Sequence, residues 1–162
     1  DTRDPQSITA ENAHPDNPVF TKALTQVTMG APQSVYNGGL LRATTRYFDE
    51  DRERPGLPPD VAALVDRLGP EVGGVKMVNL NPHETRKVIL QAGAFGEHQF
   101  TEVRTLETGQ DSPKIVPVDA RYIGVDLPPS TSIRIEAGMR RFVNNPSYAF
   151  PWHKDRIPVP FQ

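Results

Sequence analysis

Residues 75–106 limit what this chain can fold into more than any other part of the sequence. They read VKMVNLNPHETRKVILQAGAFGEHQFTEVRTL. Two runs rich in strand-forming residues flank a turn at residues 81–84, and a third run follows Gly96. Strands joined by such short turns indicate an antiparallel sheet. We therefore predict an all-β fold, an antiparallel β-sandwich of immunoglobulin-like or jelly-roll-like type with one short α-helix and long proline-rich arms.

Further alternating runs extend this prediction. Residues 41–47 alternate in the way expected of a half-buried strand. Two further strand-like runs are residues 114–127, interrupted by Pro117, and residues 131–139, which follow a Leu-Pro-Pro corner. Proline is tolerated at the edge of a sheet, where its missing N–H breaks no ladder bond. Apolar positions in the alternating runs give a predicted core, in which Val88 and Leu90 could exchange faces with Ile89: Leu41, Val78, Leu80, Val88, Leu90, Phe95, Ile123, Ile133 and Ile135.

Helical spacing predicts one helix over residues 59–68. Val61, Leu64, Val65 and Leu68 stand at i, i+3, i+4 and i+7, which places them on one helical stripe, and Gly-Pro follows. The apolar residues within 19–35 fit both the periodicity of a helix and that of a strand. We favour a strand there because threonine recurs and Gly-Ala-Pro ends the run.

The 162-residue chain is long enough for one domain with arms. We expect a flexible arm over residues 1–18, the sandwich over 19–140 and an extended tail over 141–162. The start, DTRDPQ, predicts a mature, trimmed or processed product. The tail is rich in proline and aromatic residues, so it either wraps over the sandwich or docks on another chain. Its predicted interface residues are Phe142, Tyr148, Phe150, Trp152 and Phe161.

Composition argues against several partners. The formal net charge is −2, which does not attract a polyanion, so nucleic acid is not expected. No apolar run reaches the roughly 20 residues of a membrane span, and the chain has no Cys, so we expect no membrane partner and no thiolate metal site. We expect no cofactor, a larger catalytic chain or a homo-oligomer as partner, and carbohydrate as a ligand class to test. An extracytoplasmic or secreted location is favoured.

Three groups of side chains could carry chemistry. His83, Glu84, Glu97 and His98 are of metal-ligand type, although polar turn residues are the simpler interpretation. The acidic residues between Asp49 and Asp60 could pair for glycoside hydrolysis, but arginines interleave with them, which favours a solvated loop. Aromatic side chains that could stack on sugar form the third group: Tyr36, Tyr47, Tyr122, Tyr148 and Trp152.

The motifs VNL, KVILQAG and VDLPPSTSIRIE together resemble the C-terminal β-sandwich of large bacterial glycoside hydrolases and related (α/α)-barrel proteins. The resemblance covers residues 36–152. It implies an accessory, non-catalytic domain or subunit and supplies no catalytic residues. Two alternatives stay open: a free-standing carbohydrate-binding module and a small metal-dependent enzyme built on a β-barrel.

Overall fold

The computed structural model describes Asp4, Gln6 and residues 22–30, 43–107 and 112–153, and its fold is the predicted all-β sandwich. These residues contain one α-helix, nine strands and a 3₁₀ turn at Pro151–His153. The elements are α1 (Lys22–Met29), β1 (Thr45–Asp49), β2 (Arg54–Pro55), β3 (Val61–Leu68), β4 (Val72–Asn79), β5 (Arg86–Ala92), β6 (Gln99–Glu107), β7 (Lys114–Ala120), β8 (Tyr122–Leu127) and β9 (Ser132–Arg140).

Two antiparallel sheets form the sandwich. The four-stranded sheet has the order β2-β1-β5-β8, and the five-stranded sheet has the order β3-β4-β9-β6-β7. The run at residues 114–127 is divided at Arg121, so β7 lies in one sheet and β8 in the other. Pro117 lies in β7, which is an edge strand, as the sequence predicts for a proline.

Alternating side chains from both sheets fill the core. Val88, Leu90, Ile133 and Ile135 are buried, which confirms their predicted positions. Ile123 is partly buried against the same cluster, and Phe95 packs beside a small separate cluster with Ala43 and Ala94.

The predicted inward face of β4 is wrong. Leu80 is 66% exposed and Val78 is only half-buried, whereas Val75 and Met77 are buried in the core. The next inward position belongs to Asn79, which is fully buried. The inward positions of β4 are therefore Val75, Met77 and the polar Asn79. They are one residue out of register with the inward positions predicted from the sequence, Val78 and Leu80.

Asn79 can be buried because its amide is fully used. Its Nδ2 lies within hydrogen-bond distance of the carbonyl oxygens of Glu84 (2.8 Å), Leu127 (2.9 Å) and Pro128 (3.1 Å), so one of its two N–H groups is shared between two acceptors, and its Oδ1 accepts from the N–H of Asn81 (3.0 Å). A buried amide is stable only when such partners are present. Asn79 thus joins the β4–β5 turn to the Leu-Pro-Pro corner.

The helix predicted over residues 59–68 is wrong, since this segment forms strand β3. A β-bulge explains the misleading spacing, because the β3–β4 register shifts between Val65 and Arg67. Val65 then pairs with Val75 and Leu68 pairs with Gly73. Gly73 and Val75 are two residues apart, so they lie on the same face of β4. Their partners Leu68 and Val65 therefore also share a face, although they are three residues apart in sequence. The bulge thus explains the helical spacing of Val65 and Leu68, whereas Leu64, which pairs with Lys76, lies on the opposite face of the strand.

The strand favoured within residues 19–35 is also wrong, because Lys22–Met29 is the helix α1. Gly30 ends it with a left-handed φ of 62°, and its N–H donates to the carbonyl of Gln26 at 3.1 Å. The helix lies beside β3, and its last residue, Met29, accepts a hydrogen bond from the N–H of Thr44, just before β1. The hydroxyl of Tyr47 donates to the carbonyl of Thr28 at 2.6 Å, and burial raises the pKa of this tyrosine.

The tail covers the outer face of the four-stranded sheet. Phe48 points away from the core yet has no exposed surface, because Phe150 and Trp152 pack on it edge to face at ring-centroid distances of 5.9 and 5.8 Å. Tyr122 adds a third edge contact at 6.4 Å. This part of the tail therefore wraps back over its own sandwich.

Three predictions fall on residues outside the described ranges: nearly all of the arm at 1–18, the core position Leu41 and the aromatic residue Tyr36. Within the described ranges, no helix combines the length and the hydropathy that a membrane crossing requires.

Candidate docking surface at one end of the sandwich

The β5–β6 loop and the start of the tail are held together by backbone hydrogen bonds. The N–H of Asn144 donates to the carbonyl of Glu97 at 3.2 Å, and the N–H of Ser147 donates to the carbonyl of Phe95 at 2.9 Å. The side-chain amide of Asn144 also donates to the carbonyl of His98 at 2.9 Å. The tail at residues 142–148 therefore has a defined position against this loop.

Glu97 organises the loop from inside. Its buried carboxylate accepts hydrogen bonds from the backbone N–H groups of Ala94 (3.3 Å) and Phe95 (2.7 Å). Gly93 makes room for it, because a Cβ at this position would lie 2.5 Å from the carboxyl carbon, and the φ of 89° also favours glycine. The glycine-rich segment is thus a tight loop closed around one acidic side chain.

His98, the next residue, fixes the tail. It is buried, and its Nδ1 accepts a hydrogen bond from the N–H of Phe142 at 3.1 Å. The two rings meet edge to face with centroids 4.7 Å apart. Phe142 has a φ of 55°, in the left-handed region that bulky side chains seldom adopt. The histidine contact holds this unfavourable backbone conformation in place.

This arrangement leaves large apolar side chains facing solvent. Phe142 is 73% exposed and Tyr148 is 80% exposed, although the Tyr148 ring touches Phe95 at 5.3 Å. Val143 and Leu68 are also exposed. Leu68 ends β3 at the same end of the sandwich, where the Arg141 guanidinium donates to the carbonyls of the β3–β4 turn. We call Leu68, Phe142, Val143 and Tyr148 the end surface.

The structure divides the predicted interface residues into two groups. Phe142 and Tyr148 belong to the end surface, whereas Phe150 and Trp152 are largely covered on the four-stranded sheet. Phe161 lies outside the described residues. The sequence does not identify Leu68 or Val143 as interface residues, because helical spacing places Leu68 on a buried stripe and Val143 has no periodic apolar neighbours.

The four metal-ligand candidates are not brought together. His83 and Glu84 are exposed in the turn before β5, and Glu97 and His98 are buried in the loop after β5, so the two pairs lie at opposite ends of one strand. Glu84 forms an ion pair with Arg86 at 2.7 Å. Within the described ranges, no three His, Asp or Glu side chains are grouped so that they could hold a metal ion.

Two of the acidic candidates, Asp49 and Asp60, have structural partners. The buried carboxylate of Asp49 accepts from Arg54 Nε at 3.2 Å and from the N–H of Arg52. Asp60 lies elsewhere and accepts from Asn81 and Arg86, which lowers the pKa of its carboxyl group. These contacts are those expected of carboxylates that stabilise turns.

Two of the sugar-stacking candidates meet in one cluster. Tyr122 and Trp152 both contact Phe48, and the Arg46 guanidinium lies 5.1 Å from the Phe48 ring centroid. Tyr47 is buried in the core, and Tyr148 lies in the end surface. The described aromatic residues are therefore distributed among three different environments.

Comparison with known proteins gives little further guidance. No protein family matches the sequence, and no curated protein does either. Among solved structures, the chain is similar to part of a Paenibacillus polymyxa xyloglucanase from glycoside hydrolase family 44, with 12% identity and a TM-score of 0.37. The match covers 49% of this chain and 17% of that enzyme. A glycoside hydrolase is thus a weak structural neighbour, and a similarity at this level carries no argument about function.

Proposed function

We propose that this chain is a non-catalytic β-sandwich domain or subunit of a larger carbohydrate-active enzyme, which it stabilises by docking through the end surface. The observation that carries the proposal is the presentation of Phe142. This side chain is 73% exposed, yet its backbone is held at a φ of 55° by the buried His98.

Such an arrangement is costly for the isolated domain. A non-glycine residue in the left-handed region costs on the order of 1 to 3 kcal/mol, and an exposed phenylalanine recovers little of it by burial. Aromatic anchors on a rigid support are, however, the residues that dominate protein interfaces. Burial of the Phe142 ring by a second protein surface would offset this backbone strain. The motif resemblance to C-terminal sandwiches of glycoside hydrolases supports the enzyme class.

Native mass spectrometry and size measurement on material from the natural source test the proposal. We expect the chain to be covalently continuous with, or tightly bound to, a larger catalytic chain. In that full assembly, the double variant Phe142→Ala/Tyr148→Ala should weaken association or, in a continuous chain, lower the unfolding midpoint of the catalytic part and its glycosidase half-life.

Leu80→Ala is the matched control, because Leu80 is 66% exposed at the opposite end of the sandwich, in the β4–β5 turn. It should leave association and half-life unchanged. A native chain that is a free monomer, or a double variant that behaves like Leu80→Ala, would contradict the proposal.

A carbohydrate-binding module is the second candidate, favoured by the partly exposed Tyr122 and Trp152, which both pack on the buried Phe48. Trp152 is the only tryptophan of the chain, so its fluorescence reports directly on this cluster. Saturable quenching of the isolated domain by cello-oligosaccharides, reduced by Tyr122→Ala, would favour this candidate over docking. An unchanged emission spectrum would count against it.

A further inference from the structure

Three of the four edge strands carry features that hinder pairing with a further strand. β2 has two residues, β7 contains Pro117, and β3 has a bulge after Val65 and lies beside α1. Short strands, prolines and bulges are the usual protection of a sheet edge. The fourth edge strand, β8 (Tyr122–Leu127), has six residues, no proline and an unbroken register with β5. Among the described strands, β8 is therefore the least protected edge.

The pairing with β5 shows which backbone groups of β8 face outward. The N–H of Ala92 donates to the carbonyl of Arg121 at 3.0 Å, which makes these opposed residues a hydrogen-bonded pair. Bonded and non-bonded pairs alternate along an antiparallel ladder, so Ile123 and Val125 bond to β5. The intervening residues direct their N–H and C=O groups away from β5: Tyr122, Gly124 and Asp126. No described residue forms a hydrogen bond with the backbone of these three.

The space beside β8 is open in the part of the chain that the structure describes. Gly124 is exposed, and a Cβ there would have no atom within 4 Å. A cleft of about 420 Å³ adjoins β8 and is lined mostly by apolar side chains of both sheets, including Val118 and Ile133. Unpaired ladder groups next to an apolar cleft favour an extended polypeptide strand as occupant. A strand offers alternating N–H and C=O groups at the spacing of the ladder.

The two ends of β8 carry opposite charges. Arg121 precedes the strand and lies beside Tyr122: burial raises the pKa of the Tyr122 phenol, and the guanidinium opposes this effect. Asp126 is exposed near the other end. Within the described ranges, no side chain forms an ion pair with Arg121 or Asp126. A second β8 running antiparallel would bring its Asp126 to the Arg121 end and its Arg121 to the Asp126 end. The edge is thus complementary to itself.

We infer that two copies of this chain associate by antiparallel pairing of their β8 strands about a two-fold axis at Gly124. Tyr122 then lies opposite Asp126 of the second copy, and Ile123 lies opposite Val125 of the second copy. All outward-facing backbone groups of both strands are paired in this register, and the β-branched pairs lie on the side of the cleft. A register centred on Asp126 would instead oppose two carboxylates, which is unfavourable.

Such a dimer is isologous, since the same edge serves both copies. It does not rest on the proposed docking function, because β8 contributes no residue to the end surface. Sedimentation velocity of the 162-residue chain from about 10 μM to about 1 mM tests the inference. One strand edge per copy is a small interface, so we expect a reversible dimer with a Kd in about this range. A chain that is still monomeric at about 1 mM would overturn the inference.

Two substitutions at Gly124 test whether the contact is a backbone ladder. Gly124→Pro should weaken dimerisation by at least about tenfold, because proline removes the N–H that each copy donates at the axis. The monomer should stay folded, since this N–H faces away from β5 and proline is tolerated at such an edge position. Gly124→Ala is the matched control: its Cβ has open space, and the Kd should change by less than about threefold. Equal effects of the two substitutions would overturn the pairing.

Exchange of charges tests the register. Asp126→Arg should raise the Kd about fivefold or more at low ionic strength, because it brings two cations together at each end of the paired strands. This should occur although the substitution removes the formal net charge of −2, which by itself favours association. Arg121→Glu/Asp126→Arg, which exchanges the two charges, should return the Kd to within about threefold of the parent value. Circular dichroism checks that each variant is folded. A double variant as weak as Asp126→Arg would overturn this register.

Amide hydrogen exchange distinguishes a second copy from a segment of the same chain. Raising the protein concentration through the Kd should slow exchange at Gly124 and Asp126 but not at Ile123 and Val125, whose N–H groups already bond to β5. Slow exchange at Gly124 in a dilute, monomeric sample would mean that another part of the chain covers this edge, and it would overturn the inference. None of these results bears on docking through the end surface, which is measured in the full assembly.

Discussion

The N–H of Phe142 donates to Nδ1 of His98 at 3.1 Å while the two rings meet at 90° with centroids 4.7 Å apart. Because Nδ1 is the acceptor, the imidazole proton belongs on Nε2, which lies 3.7 Å from Oε1 of Glu97. The chain Glu97–His98–Phe142 therefore connects a buried carboxylate to an exposed aromatic side chain. The polar residues of this loop determine where the end surface is and how it is presented.

Replacing Phe142 by glycine separates stability from docking. Glycine adopts the φ of 55° without strain, which offsets the loss of the ring contact with His98. We expect the free energy of unfolding of the isolated domain to change by less than about 1 kcal/mol in urea titrations, while association is weakened. A loss above about 2 kcal/mol would mean that the ring belongs to the core of its own domain.

Glu97→Gln should destabilise the domain although it is nearly isosteric. The carboxylate accepts from two backbone N–H groups, and an amide offers only one acceptor oxygen, so its NH₂ group would face a donor. The expected loss is about 1 to 3 kcal/mol in urea unfolding. Glu102→Gln, at a partly exposed position of β6, is the control and should stay within about 0.5 kcal/mol. Equal effects of the two changes would contradict the assigned role of Glu97.

Asn79→Ala should remove the side-chain hydrogen bonds that join the β4–β5 turn to the Leu-Pro-Pro corner. Three carbonyl groups would lose their donor, that of Leu127 in a buried setting and those of Glu84 and Pro128 in a partly buried one. We expect a loss of about 2 to 4 kcal/mol, from more than one unsatisfied group. Hydrogen exchange should rise first at residues 79–84 and 127–131. Unchanged exchange there would contradict the role given to this amide.

Ile133→Ala should lower the free energy of unfolding much more than Leu80→Ala. Ile133 is buried in the core, so its truncation should cost about 2 to 5 kcal/mol. Leu80 is exposed in the turn after β4, and its truncation should cost less than about 0.5 kcal/mol. Chemical denaturation of both variants under the same conditions checks this difference. Similar losses at the two positions would show that the inward face of β4 has been assigned wrongly.

Asp60→Asn should reduce the sensitivity of the domain to acid. Hydrogen bonds from Asn81 and Arg86 lower the pKa of Asp60 below its usual value of 3.8. The ionised carboxylate therefore adds to the free energy of unfolding above pH 3.8, and this stabilisation is lost as the pH falls through the lowered pKa. The stability difference between the parent protein and Asp60→Asn should be largest near neutral pH and shrink below about pH 4. Asparagine tolerates the φ of 63° at this position, so the backbone is not a complication. A difference that is constant with pH would exclude this role.

The sequence alone determined which segments are strands over most of the sandwich. In β9 the alternation of Ile133 and Ile135 with polar residues identified buried positions correctly, because one face of the strand packs on the opposite sheet. In β5 the sequence left open whether Val88 and Leu90 or Ile89 points inward, and the structure buries Val88 and Leu90 in the core. Pro117 identified an edge strand for the same local reason, since a proline cannot donate to a neighbouring strand.

Tertiary structure decided the rest, because spacing shows which residues share a face but not what covers that face. The β-bulge after Val65 gave β3 the periodicity of a helix, and only pairing with β4 resolved the ambiguity. The inward position of Asn79 depends on the carbonyl groups of Leu127 and Pro128, 48 and 49 residues later in the chain, as well as on that of the nearby Glu84. The exposure of Phe142 depends on His98, 44 residues earlier in the chain. Sequence patterns report local geometry, whereas burial and exposure are set by contacts that form only when distant segments meet.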